Sequence, residues 1–170
     1  MNLKTYINNV PNFPVEGILF RDITPLLKNA EAFKYVIREL GNHAIQTNAA
    51  LIAGIESRGF LFGTTIAHSL DLPFVPIRKA GKLPGAILSE EYSLEYGTGQ
   101  LDIHADALET GTRTYLIDDL LATGGTAVAA THLIETLGGT LAGAGFVIEL
   151  NNLRGRNKLA KYDVKSLVSY

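Results

Sequence analysis

The run Asp118-Asp119-Leu120-Leu121-Ala122-Thr123-Gly124-Gly125-Thr126 sets two carboxylates directly before a turn rich in glycine and threonine. Its halves suit opposite ligand chemistries. Gly124 and Gly125 can take backbone conformations closed to other residues, so successive N–H groups can converge on one anion. Thr123 and Thr126 add hydroxyl donors, and a helix opening near Thr126 adds its positive end. The dipole supplies only ~0.3–1 kcal/mol, up to ~2 kcal/mol when partly buried, so converging hydrogen bonds must carry most of the affinity. Asp118 and Asp119 would repel that anion, yet they can accept hydrogen bonds from neutral hydroxyls such as those of a ribose. A ligand with sugar hydroxyls and a terminal phosphate satisfies both halves. The competing reading is a strand-end turn with an ordinary Asp cap, which a bare Gly-Gly-Thr would favour and the whole stretch does not. No Gly-Lys-Ser/Thr follows, so this is not a Walker loop, and no Gly-x-Gly-x-x-Gly occurs.

A second candidate is Gly54-Ile55-Glu56-Ser57-Arg58-Gly59. Arg58 can make a planar two-pronged contact with phosphate oxygens, and Ser57 can add a hydroxyl and an N–H. Taken alone, a surface arginine beside a tight turn explains it equally well. Arg78, Lys79 and Lys82 form a basic cluster, which taken alone reads as a solvated charge run. His43, His68, His104 and His132 fit no metal-ligand spacing and are read as structural or surface residues.

The elements that must position these groups follow from periodicity. Ala50–Gly54, Phe74–Ile77, Thr114–Ile117 and Ala144–Leu150 read as buried strands. The proline at position 76 argues for a strand end or edge. Helices are expected from near Asn29 with Phe33, Val36, Ile37 and Leu40 inward, and from Gly59 to Leu70. A third carries Ala130, Leu133, Ile134 and Leu137 and stops at Gly138-Gly139. Strand alternating with helix predicts an α/β domain with a mostly parallel central sheet flanked by helices. Ligands of open α/β sheets bind at the carboxyl ends of the strands, where Asp118–Thr126 should lie. Residues 79–86 read as a mobile loop, and Ile87–Tyr96 with Gln100–His104 as a hairpin. The chain reads as one domain over residues 1–170. Its core spans about 29–150, and a small hood lobe joins about 1–25 to the segment 151–170.

Composition narrows the function classes. Lys plus Arg number 15 against 17 Asp plus Glu, a net charge of −2, so no basic stripe for nucleic acid is present. The chain of 170 residues contains no cysteine, which excludes a disulfide scaffold, a Cys-zinc site and a thiol nucleophile, and fits a cytoplasmic location. The N-terminus lacks a signal-peptide core, and no apolar run approaches the ~20 residues that span a bilayer. The expected partners are small molecules and further copies of the chain, with no nucleic acid and no membrane.

Asp118–Thr126 after an apolar strand resembles the signature of the type I phosphoribosyltransferases, and its Leu-Leu-Ala-Thr-Gly-Gly-Thr form resembles the adenine-specific branch. The resemblance runs from about Val10 to Leu167. It implies the type I fold with a hood lobe and flexible loop, and a homodimer that makes AMP and pyrophosphate from adenine and phosphoribosyl pyrophosphate. It further implies that the two acids hold ribose hydroxyls and that Ala122, Thr123, Gly124, Gly125 and Thr126 hold the 5-phosphate. Glu-Ser-Arg-Gly-Phe-Leu-Phe-Gly, from Glu56, is similar to the family's pyrophosphate loop and implies a non-proline cis peptide between Glu56 and Ser57. Arg78, Lys79 and Lys82 are similar to the segment leading into the catalytic loop, where cations meet the charge growing on pyrophosphate.

Tyr92–Gly97 resembles the adenine enzymes, implying that Glu95 manages a base proton and that Tyr96 closes the site. Arg58 and Lys82 are counted with them as catalytic. Gly17–Asp22 resembles the purine-binding segment. Leu19 and Arg21 would read adenine through main-chain groups, Phe20 would stack on it, and Leu150 would face its other side. Glu16 departs from the proline many members carry before that glycine. Magnesium is implied, held through substrate oxygens and water with no direct protein ligand. Two alternatives stay open. One is a transferase for hypoxanthine, guanine or xanthine. The other is a non-catalytic sensor of phosphoribosyl pyrophosphate.

Overall fold

A computed structural model describes residues 1–93 and 97–170. Glu95 and Tyr96, assigned acid–base and closing roles by resemblance, lie outside the described residues. In chain order the elements are β1 (Asn8–Pro11), β2 (Leu19–Asp22), α1 (Thr24–Lys28), α2 (Ala30–Gln46), β3 (Leu51–Ile55), α3 (Arg58–Ser69) and β4 (Phe74–Lys79). They continue with β5 (Ile87–Ser93), β6 (Thr98–His104), β7 (Arg113–Leu121), α4 (Gly125–Thr136), β8 (Thr140–Glu149) and β9 (Val164–Ser169).

Apolar residues on alternate positions and on helical stripes decide the layering. Ile52, Tyr115 and Ile117 pack with Val36 and Leu40 of α2 and Phe62 and Ile66 of α3. Leu51, Ala53, Ile55 and Leu116 pack with Ala130, Leu133 and Ile134 of α4. Every residue of β3 is buried, as a central strand covered on both faces requires. The sheet order is β5-β6-β4-β3-β7-β8-β9. The pairs β4–β3, β3–β7, β7–β8 and β8–β9 are parallel, while β6 is antiparallel to both β4 and β5. Asn29 opens α2 as its cap, accepting from Ala32 N at 2.9 Å.

Two expectations change in detail. The hairpin is an extension of the main sheet, because β6 pairs with Arg78 and Lys79 at the end of β4. At Pro76 the outer side of β4 is still unpaired, which is where a residue without an N–H is tolerated. The segment 151–170 does not join the N-terminal lobe as a whole, since Val164–Ser169 supplies an edge strand of the main sheet. Val168 is buried against the core there, a contact distant in sequence that local pattern does not reveal. The N-terminal lobe itself is the β1–β2 ribbon, and Leu3, Ile7 and Ile23 around it sink into the main core.

Phe62 is fully buried, with the Phe33 ring 5.7 Å away. Phe62→Ala is expected to cost ~3–5 kcal/mol of stability, through lost burial and the cavity left behind. Urea unfolding of both proteins measures it.

Candidate functional site

β7 runs past its expected end and carries the two acids on its last turn of pleat, Asp118 half-buried and Asp119 only 4% exposed. Between them Asp119 N donates to Asp118 Oδ1 at 2.9 Å. The chain then turns through Ala122–Gly124 into α4. Gly124 stands at the helix's N-cap position with φ +80, in the left-handed region that favours glycine. The expected order of strand, acids, amide turn and helix start is therefore continuous in space.

Arg58, at the first turn of α3, lies across from β7 with its Nε 3.0 Å from Asp119 Oδ2. The alignment is not that of a hydrogen bond, and Oδ2 is buried with no donor of its own. The other side of the guanidinium is covered by Phe20, whose ring centre is 5.1 Å from Arg58 Cζ. Burial, followed by the Asp119 charge, pushes the Asp118 carboxyl well above the ordinary carboxylate range. Burial also raises Asp119, against the pull of Arg58. Both acids are thus poorly solvated and able to gain from hydroxyl donors.

A cavity of about 310 Å³ joins these groups, bounded by Ser57, Arg58, Lys79, Asp118, Asp119 and the 122–126 turn. The Glu56–Ser57 peptide at its edge is cis, as the resemblance implied. Neither Arg78 nor Lys82 lines this cavity. Arg78 instead braces two loops, donating Nε to Glu56 Oε2 at 3.0 Å and a terminal nitrogen to Lys82 O at 3.2 Å. Glu56 Oε2 also accepts from Lys79 N at 3.1 Å. Sequence reading missed a third tie, the buried Asp102, which accepts from Gly81 N, Ser89 Oγ and Gln100 Nε2 at 2.8–3.0 Å. Burial alone would raise Asp102, but these three donors outweigh it and hold the carboxyl below its ordinary 3.8.

A second cavity of about 790 Å³ adjoins the first and shares Ala122, Thr123 and Thr126 with it. Leu19, Arg21 and Leu150, the residues assigned to the base by resemblance, line it with Asn152, Leu153 and Tyr170. The Arg21 guanidinium lies 3.7 Å from the Tyr170 ring centre. Phe20 is not among the residues lining this cavity; its ring meets Phe13 edge-on at 5.1 Å and lies 5.1 Å from Arg58 Cζ. Tyr170 carried no motif that could have signalled it. Among the described residues no group of three or more His, Asp or Glu converges as a metal cage, and no helix is long and apolar enough to cross a membrane.

Residues 25–168 match the phosphoribosyl transferase domain family. A relative from Gloeobacter violaceus, an adenine phosphoribosyltransferase, is 54% identical over 171 residues, covering 100% of both chains. The crystal structure of adenine phosphoribosyltransferase from Thermoanaerobacter pseudethanolicus superposes with TM-score 0.95 at 50% identity, covering 99% of this chain and 98% of that one. The Saccharomyces cerevisiae adenine phosphoribosyltransferase, crystallised with an imino-altritol bisphosphate and adenine, gives 0.91 at 43% identity, covering 97% and 96%.

The raised Asp118 has a measurable signature. Its folded carboxyl holds a proton to higher pH than the unfolded one, so its ionisation destabilises the fold as pH rises from about 3.8 through the folded value. Asp118→Asn, which keeps an acceptor for Asp119 N, should therefore melt at or above the wild-type temperature at pH 7–8. The advantage should vanish near pH 4. Calorimetry across that range checks the sign.

Proposed function

The chain belongs to the phosphoribosyltransferase family and, within it, to the adenine phosphoribosyltransferases; from that premise we propose that it joins adenine to phosphoribosyl pyrophosphate, giving AMP and pyrophosphate in purine salvage. The observation that carries this reading is the pair of under-solvated acids standing one turn before an amide nest, with Asp119 Oδ2 lacking a hydrogen-bond donor. A ribose brings two hydroxyls to the acids while its 5-phosphate meets the N–H groups and hydroxyls of Ala122–Thr126. Ser57, Arg58 and Lys79 border the same cavity and suit the pyrophosphate. Arg78 and Lys82 are assigned to the same group, and Arg78 braces the loop that carries Lys82.

In the reaction the bond from the anomeric carbon to pyrophosphate breaks as an adenine ring nitrogen bonds to that carbon, and the ring gives up a proton. Glu95 is assigned to take the proton, and Tyr96 to cover the site. The transition state resembles a sugar cation, so positioning and electrostatics carry most of the rate. Leu19, Arg21 and Leu150 border the adjoining cavity and suit adenine. A main-chain carbonyl there accepts from the 6-amino group and opposes the oxygen of 6-oxo purines.

Magnesium fits this donor set as a partner of the substrate. Of the three acids lining the cavity, Glu56 is paired with Arg78 and Asp119 with Arg58, so substrate oxygens and water would complete its shell. When bound, the ion screens the charge of the pyrophosphate. A homodimer and a cytoplasmic location belong to this proposal on family resemblance.

Pyrophosphate release assayed with adenine, hypoxanthine, guanine and xanthine should favour adenine by roughly tenfold or more, the equivalent of ~1–3 kcal/mol for an unpaired acceptor. A preference for a 6-oxo purine would overturn the base assignment. Asp119→Asn should raise the KM for phosphoribosyl pyrophosphate and lower kcat/KM roughly tenfold to a hundredfold, as expected for a charged hydrogen bond of ~1.5–3 kcal/mol. Circular dichroism should remain that of the wild type.

A further inference from the structure

The amide turn has an outer wall made by a distant part of the chain. After β8, two short 3₁₀ turns, Asn151–Leu153 and Gly155–Leu159, meet at Arg154, whose φ is +53. This connection presses the Gly155 backbone against the far side of Ala122–Gly124. A Cβ on Gly155 would lie 2.2 Å from Ala122 O, 2.8 Å from Gly124 N and 3.0 Å from Thr123 C. In return, a Cβ on Gly124 would lie 2.7 Å from Gly155 O. Backbone touches backbone along three successive residues of the turn, with no side chain between them.

The neighbouring residue holds Gly155 in place. Arg156 donates Nε to Glu149 Oε1 at 2.9 Å, a terminal nitrogen to Val164 O at 2.7 Å and another to Ser166 Oγ at 3.1 Å. Glu149 is buried at the end of β8, and the Arg156 fork holds its carboxyl below the ordinary range. Leu150 N in turn donates to Leu121 O at 2.9 Å, tying the end of β8 to the end of β7. The turn is therefore fixed on one side by β7 and on the other by Gly155, both referenced to the same strand ends.

We propose that Gly155, held by the Arg156–Glu149 pair, is a positioning residue for the phosphate nest: it sets the curvature of Ala122–Gly124 so that the N–H groups converge. The proposal rests on reading that turn as the 5-phosphate site. A nest binds only while its donors point at a common centre. An added methyl group 2.2 Å from a carbonyl oxygen must displace the turn by something near 1 Å, enough to cost on the order of a hundredfold where geometry is exacting.

The test compares wild type, Gly155→Ala and Arg156→Gln, using titration calorimetry with ribose 5-phosphate and, separately, adenine, together with steady-state kinetics. Gly155→Ala should weaken ribose 5-phosphate and raise the KM for phosphoribosyl pyrophosphate tenfold or more. Adenine affinity and the KM for adenine should stay within about twofold. A general loss of folding would move both substrates together. Arg156→Gln adds no atoms at the turn and should give a smaller shift of the same selectivity, which Arg156→Lys should partly restore. Failure of the wild type to bind ribose 5-phosphate would overturn the reading of the turn itself. Wild-type binding with unchanged ribose 5-phosphate affinity in Arg156→Gln, or in a folded Gly155→Ala, would overturn the positioning role alone.

Discussion

The site is organised by an ion pair that is compensated without being saturated. Asp119 is nearly inaccessible to water, and a carboxylate in that position is costly unless a cation stands beside it. Arg58 provides the cation at 3.0 Å, yet its geometry leaves Oδ2 free of a hydrogen bond. The pair also spans parts of the chain that are distant in sequence: α3 after the cis-peptide loop, the end of β7, and, through the Phe20 ring, the N-terminal ribbon. The parallel register that sets Gly54 beside Ile117 fixes the distance between the first two. Charge neutrality and vacant hydrogen-bonding capacity at one atom is the state in which a neutral donor is preferred to another cation.

The basic loop follows a similar logic. A cluster of three cations in sequence suggests three groups turned toward one anion, and the fold divides them. Lys79 borders the cavity, while Arg78 ties Glu56 to the Lys82 carbonyl. Asp102 reaches Gly81 from the neighbouring strand. The backbone at 79, 81 and 82 is thus held by side chains from other elements.

Much of this architecture was legible from the chain alone. A short continuous apolar run suffices for β3, and helical spacing for α2, α3 and α4, because each pattern is written locally. The acids and the amide turn were legible because neighbouring residues carry the whole motif. What escaped reading depends on contacts between distant segments. β9 is short and only Val168 on it is fully buried, so its pattern is weak until β8 pairs with it. Gly155 looks like any turn glycine until the Ala122 carbonyl is found against it. Tyr170 became relevant only when the Arg21 guanidinium was found over its ring. The contact between Phe20 and the Arg58 guanidinium likewise joins segments distant in sequence, so no local pattern announces it.

The two cavities share a wall at Ala122, Thr123 and Thr126. The anion side of that wall is the exacting one, because its donors must converge on one centre, while the larger base chamber tolerates a small displacement of the same residues. Chemical variation aimed at broadening the base chamber would carry over into the anion chamber unless it were confined to the opposite wall, at Leu19, Arg21, Leu150 or Tyr170. The shared wall favours compounds that straddle it: one molecule with a heterocycle tethered to a phosphorylated sugar engages both chambers and loses its translational freedom only once.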